Sequence, residues 1–215
     1  MRDAYFIEPA TGPGPGVLVI HSWWGLNDGT RAFCDALADE GFSVLAPDLF
    51  DGEVPTTLED AETALATLDI NEAASLLLAS VNALRALTAD PRAPIGAVGF
   101  AMGASWALWL SARLPDSVAA VVAYYGTQHI DFDDSQSEYL LHAAALDPIA
   151  STDEMAQTEA WLGLAGRPVT SHVYDDVAHN FAEAGAPDYD AEAAALAWER
   201  TVDFLRSHPP VTPED

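Results

Sequence analysis

The sequence predicts an α/β fold with a mostly parallel central sheet of about seven strands and helices on both faces. Three observations lead there. Short apolar runs rich in branched residues recur along the chain, as in strands buried on both faces. Longer stretches of helical period separate them, which is the alternation a parallel sheet requires. The 215 residues, half of them hydrophobic, suffice for one folded core.

Strands are expected at residues 5–8, 17–21, 43–46, 95–100, 118–124, 139–144 and 169–174. After the second, residues 28–40 place Phe33 and Leu37 four apart, on one face of a helix. Thr56 with Glu59 has the spacing of a capping box, in which the carboxylate returns a hydrogen bond to the capping residue's amide, and marks a helix start. Residues 71–87 carry Leu77, Val81 and Leu84 as a core-facing stripe. Residues 102–113 are apolar almost all round through Trp106, Leu108, Trp109 and Leu110, which predicts a buried central helix. Ser151 with Glu154 opens a further helix, and residues 191–205 close the fold with Trp198, Val202 and Leu205. The tail 208–215, with three prolines, is expected to fray, leaving residues 1–207 as a single domain.

The chain has 34 Asp and Glu against 8 basic residues, all arginine, for a formal net charge of -26. Nucleic acid is thereby an unsuitable partner, because binding it rests on neutralising phosphates, and an anionic membrane surface is excluded in the same way. So acidic a surface suits salt-rich surroundings, where repulsion between carboxylates is screened; a GC-rich genome favours the same residues. Cys34 is the single cysteine, so no internal disulfide forms. With no apolar run before Val17 long enough for a signal peptide and no stretch of membrane-spanning length, a cytoplasmic protein is expected. Asp175, Asp176, Asp188 and Asp190 have no metal-ligand spacing and read as a solvated face. No metal or other cofactor is expected.

Gly99-Phe100-Ala101-Met102-Gly103 follows a predicted buried strand and opens a predicted buried helix, the context of a nucleophile elbow. There the glycines prevent collisions with the neighbouring strand and helix, and the central side chain projects at the top of the sheet. Alone, the pattern would read as an ordinary tight turn. Asp147 and His179, however, each lie just beyond a predicted strand, where open α/β sheets place their sites, and the order elbow, Asp, His is that of a hydrolase.

Six stretches together resemble the dienelactone hydrolase family: 17–27, 44–50, 98–103, 123–126, 146–148 and 177–181, including the tryptophan pair Trp23 and Trp24 and the tyrosine pair Tyr124 and Tyr125. The resemblance implies the α/β-hydrolase fold. It also implies a cysteine or serine hydrolase that cleaves small carboxylic esters or lactones through an acyl-enzyme. Under it, Ala101 stands at the nucleophile position, Asp147 matches the acid and His179 the general base. The backbone amides of Trp23 and Met102 match the oxyanion hole. Ser22, Trp24, Tyr124 and Tyr125 are the expected substrate-binding residues.

Three departures qualify the carry-over. Alanine has no atom with which to attack a carbonyl, so this chain is expected to be inactive or strongly attenuated. Cys34, on the Phe33 and Leu37 helix, reads as a packed thiol, and Ser105, a turn into the following helix, as a packing residue. Ser22 stands where dienelactone hydrolases carry a glutamate that helps control a cysteine thiolate, which favours serine as the missing nucleophile. No arginine matches those that hold a substrate carboxylate, so the expected partner is a neutral small-molecule ester or lactone, bound by a monomer or homodimer. His21 and Asp48, at strand ends, are expected to hold loops. Three readings of Ala101 remain: a hydrolase whose nucleophile was replaced, a non-catalytic module that binds a carbonyl ligand, and an enzyme in which His179 activates water.

Overall fold

The computed structural model describes residues 4–207; the tail predicted to fray lies outside them. Seven strands form one sheet in the order β1-β3-β2-β4-β5-β6-β7. They are β1 (Ala4–Ile7), β2 (Gly16–Ile20), β3 (Ser43–Pro47), β4 (Ile95–Phe100), β5 (Val118–Tyr124), β6 (Glu138–Ala144) and β7 (Val169–Tyr174). Each falls within a residue of its predicted position. All neighbouring pairs are parallel except β1, which runs antiparallel to β3 on the edge.

The helices are α1 (Asp28–Asp39), α2 (Leu58–Thr67), α3 (Ile70–Leu87), α4 (Met102–Arg113), α5 (Thr152–Leu164) and α6 (Ala191–Ser207). Strand side chains alternate between two cores. Leu18, Ile20, Val121 and Ala123 face one core together with Leu77, Val81 and Leu84 of α3 and Ala107 and Leu108 of α4. Val17, Val19, Val98 and Val122 face the other, with Leu37 of α1 and Val202 and Leu205 of α6. The three α3 residues are fully buried, each worth roughly 2 kcal/mol in apolar area removed from water.

Two expectations about helices need correction. The cap of α2 is Thr57, not Thr56: its hydroxyl accepts from the Asp60 amide at 3.2 Å, so the capping pair lies one residue later. Helix α4 is not wholly enclosed, because Trp106 and Trp109, edge-on at 5.4 Å, keep partial exposure. The box at Ser151 and Glu154 forms as the spacing predicts.

The chain leaves β2 toward β3 on one side and later returns to place β4 on the other. The carboxyl ends of β2 and β4 therefore flank the point at which the winding reverses, where such sheets leave a crevice. The loop after β2 carries Trp23, and the turn after β4 is Ala101.

Candidate active site

Strand β4 ends at Phe100 and α4 begins at Met102, so Ala101 alone makes the turn between them. It does so at φ 49° and ψ -113°, a conformation that costs a non-glycine residue on the order of 1–3 kcal/mol. Its neighbours enforce it. A Cβ on Gly99 would lie 2.1 Å from the Gly103 carbonyl oxygen, and one on Gly103 would lie 2.2 Å from that of Ile20 in β2. Only glycine lets strand, turn and helix approach so closely. The Ala101 amide donates to the Tyr124 carbonyl at 3.0 Å, and its own carbonyl accepts from the Ala104 amide at 3.0 Å.

Asp147 and His179, 32 residues apart, are brought together from the loops after β6 and β7. His179 Nδ1 lies 2.8 Å from Asp147 Oδ2, and the two residues are 4% and 9% exposed. The other carboxylate oxygen, Oδ1, accepts from the backbone amides of Ile149 at 2.8 Å and Ala150 at 2.9 Å. With its carboxylate so fixed, Asp147 can only accept from the ring, which makes Nδ1 the protonated nitrogen and leaves Nε2 free to take a proton.

Ala101, His179, Trp23, Met102 and Tyr125 line one cavity of about 220 Å³. Met102 is the first residue of α4, so its amide has no acceptor within the helix. Trp23 stands edge-on to His179 at 6.2 Å, and Tyr125 packs on the imidazole at 5.1 Å. Ser105 lines the cavity too, its hydroxyl donated to the Thr127 carbonyl at 2.6 Å, so it is more than the packing residue expected. Trp24 lies edge-on behind Trp23 at 6.0 Å and does not line the cavity.

Tyr124 is a correction. It is the last residue of β5 and points toward α6, where its hydroxyl meets Thr201 Oγ1 at 2.6 Å. Tyr125 lies just past the strand, at φ 37°, and this left-handed turn takes its ring away from the strand's line; Tyr124 borders a different cleft of about 260 Å³ between α1 and α6. That cleft contains neither Ala101 nor His179. Cys34 is fully buried and its thiol is pushed up to about 12, so it stays protonated. His21 and Asp48 hold loops: His21 Nε2 accepts from the Leu49 amide at 3.0 Å, and Asp48 accepts from the amides of Phe50 and Gly52.

One residue had no counterpart in the sequence reading. Glu183, four positions after His179, accepts from Ser22 Oγ at 2.6 Å and from the Tyr125 hydroxyl at 3.0 Å. The residue keeps partial exposure, but its carboxyl group is enclosed, and burial lifts it from 4.5 to about 7 against the opposing pull of both hydroxyls and His179. Ser22 Oγ in turn accepts from the Trp24 amide at 3.2 Å. Glu183 thus ties together the loops that carry Trp23, Tyr125 and His179. Ser22 serves this tie and does not line the cavity. Burial also raises the Tyr125 hydroxyl well above its ordinary value, followed by the effect of the Glu183 charge.

A sheet reversing at β2 and β4, a strained elbow and a buried acid–histidine pair define an α/β-hydrolase. Residues 2–209 match the dienelactone hydrolase family, and the chain belongs to it. It is 29% identical over 214 residues to Protein usf of Aquifex pyrophilus, covering 95% of this chain and 92% of that protein. To the carboxymethylenebutenolidase of Pseudomonas putida it is 27% identical over 213 residues, covering 92% and 88%. Among solved structures, a dienelactone hydrolase-like promiscuous phosphotriesterase from metagenomic libraries superposes with a TM-score of 0.80 at 23% identity, covering 96% of this chain and 98% of that one. Among the described residues, no single helix is long and apolar enough to cross a membrane.

Proposed function

We infer that this chain carries the site of a hydrolase for small neutral carboxylic esters or lactones, and that Ala101 leaves it inactive or strongly attenuated. The observation that carries this reading is the shared cavity: Ala101, held at φ 49°, borders the same space as His179, whose other nitrogen is fixed on Asp147. The substrate carbonyl would sit over the Ala101 methyl with its oxygen toward the amides of Trp23 and Met102, worth roughly 3–4 kcal/mol per donor in the transition state.

With serine at position 101 the full sequence of steps is available. The hydroxyl attacks the carbonyl carbon while its proton passes to His179 Nε2. The tetrahedral oxyanion collapses, and the leaving alcohol takes that proton. Water, deprotonated by His179, then releases the acid from the acyl-enzyme. Alanine can form no acyl bond. Ser22 stands where dienelactone hydrolases carry a glutamate that governs a cysteine thiolate, which supports serine as the fitting nucleophile.

The test is hydrolysis of 4-nitrophenyl acetate by the chain as it stands and by Ala101→Ser and Ala101→Cys. We expect Ala101→Ser to raise turnover at least about a thousandfold with a stoichiometric burst, since removing such a nucleophile costs on the order of a million-fold. No burst in either variant would sink the ester reading. Parent turnover that matches Ala101→Ser and vanishes in His179→Ala would instead support water activated by the histidine.

A further inference from the structure

The candidate cavity does not end at Met102. A second hollow of about 370 Å³ shares Leu65, Met102 and Ser105 with it, so the two adjoin along one surface groove. It runs along α4 from Ala101 to Trp106, with Leu68 and Ile70, where α2 turns into α3, on its far bank.

The groove is neutral and largely apolar. No arginine, aspartate or glutamate among the described residues lines either part. The Ser105 hydroxyl is occupied by the Thr127 carbonyl, and Gln128 Oε1 accepts the His129 amide at 3.1 Å. Apolar side chains are also left exposed along it: Leu65 by 40%, Ile149 by 53% and Ile70 by 68%. On a chain of net charge -26, exposed apolar side chains gathered along one groove mark a surface that an apolar partner covers. Adjacency to the cavity at Ala101 points to which: part of the same molecule whose carbonyl would sit there.

We propose that the groove holds an unbranched apolar chain attached to the ester group, so that the site takes neutral esters with a chain of about six carbons in preference to short or anionic substrates. This rests on the ester reading above. The length follows from the helix: Ala101 to Trp106 spans about 7.5 Å at 1.5 Å per residue, roughly the extended length of six carbons. The chain lies either on the acyl or on the alcohol side of the ester bond.

The experiment titrates the full chain with two series, followed by tryptophan fluorescence, to which Trp106 contributes. One series is methyl esters of acids from two to eight carbons, and the other is acetates of alcohols from one to eight carbons. Affinity in one series should rise about fourfold per methylene until about six carbons and then level; the series that rises identifies the side of the ester bond. In Ile70→Ser and Leu65→Ser, both exposed positions, the ratio of six-carbon to two-carbon affinity should fall by about fivefold or more. Affinity that ignores chain length in both series, or a ratio unchanged in both variants, overturns the groove. If Ala101→Ser is still acylated by an acetyl ester in that case, the ester reading stands without the groove; if no ester acylates it, both fall.

Discussion

Glu183 makes the stability of this protein depend on pH in a direction opposite to that of an ordinary ion-paired carboxylate. Unfolded, its carboxyl group titrates near 4.5; folded, burial holds it at about 7. Between those values the folded chain retains a proton that the unfolded chain has lost. The contribution to stability is therefore full below about 4.5 and disappears as pH rises through 7. At 1.36 kcal/mol per pH unit the interval is worth about 3 kcal/mol. Glu183→Gln keeps the shape and an acceptor oxygen but removes the titration. Urea unfolding at fixed salt, at pH 5 and pH 8, isolates the effect: the stability of the variant relative to the parent should rise by about 2–3 kcal/mol between them, because other groups cancel in the difference. An unchanged difference would mean that the carboxyl group titrates normally in the fold, and the burial argument would be wrong.

Three other outcomes are expected. In the Ala101→Ser background, Asp147→Asn should lower turnover by about 10⁴, because the amide cannot hold the histidine in the required tautomer. Turnover within tenfold of the unmodified background would count against Asp147 as the orienting acid. Gly103→Ala should destabilise the fold by about 3 kcal/mol or more, since its Cβ would meet backbone oxygens of Ile20 and His21 at 2.2 and 2.6 Å, and thermal unfolding would reveal it. Stability should also rise from dilute buffer to molar potassium chloride through screening among the 34 carboxylates; a melting temperature that does not move would leave composition bias as the source of the acidity.

Sheet and helices were legible because they rest on local patterns: branched apolar runs for the seven strands, and four-residue stripes such as Leu77, Val81 and Leu84 for the helices. The acid–histidine pair was legible from position, each residue lying just past a strand. Glu183 was not, because its meaning comes from two hydroxyls 161 and 58 residues away, and nothing near it in sequence distinguishes it from 33 other acids. Tyr124 and Tyr125 looked interchangeable for a related reason. Two adjacent tyrosines at a strand end offer the same chemistry, and only the left-handed turn at Tyr125, φ 37°, just past the end of β5, parts the one that meets α6 from the one that lines the cavity. His142 was hidden inside a run read as apolar. It is buried and uncharged, bonded to the Tyr174 hydroxyl at 2.8 Å and Thr201 at 3.1 Å, with burial holding its pKa well below the ordinary value.

The backbone at Ala101 bears on the proposal that a nucleophile is lacking there. An alanine gains nothing from φ 49°, so the strain must be imposed by its surroundings: the glycine contacts at 99 and 103, the hydrogen bonds to Tyr124 and Ala104, and the packing of Gly126 against the Ala101 carbonyl. Each of these is a backbone feature and none depends on the side chain at 101. The elbow geometry would therefore persist with serine or cysteine in that position, and so would the amide of Met102, the tie through Glu183 and the Asp147–His179 pair. The apparatus around position 101 is specified independently of its nucleophile, which is why replacing a single methyl group by a hydroxymethyl group is expected to restore catalysis without rebuilding the site.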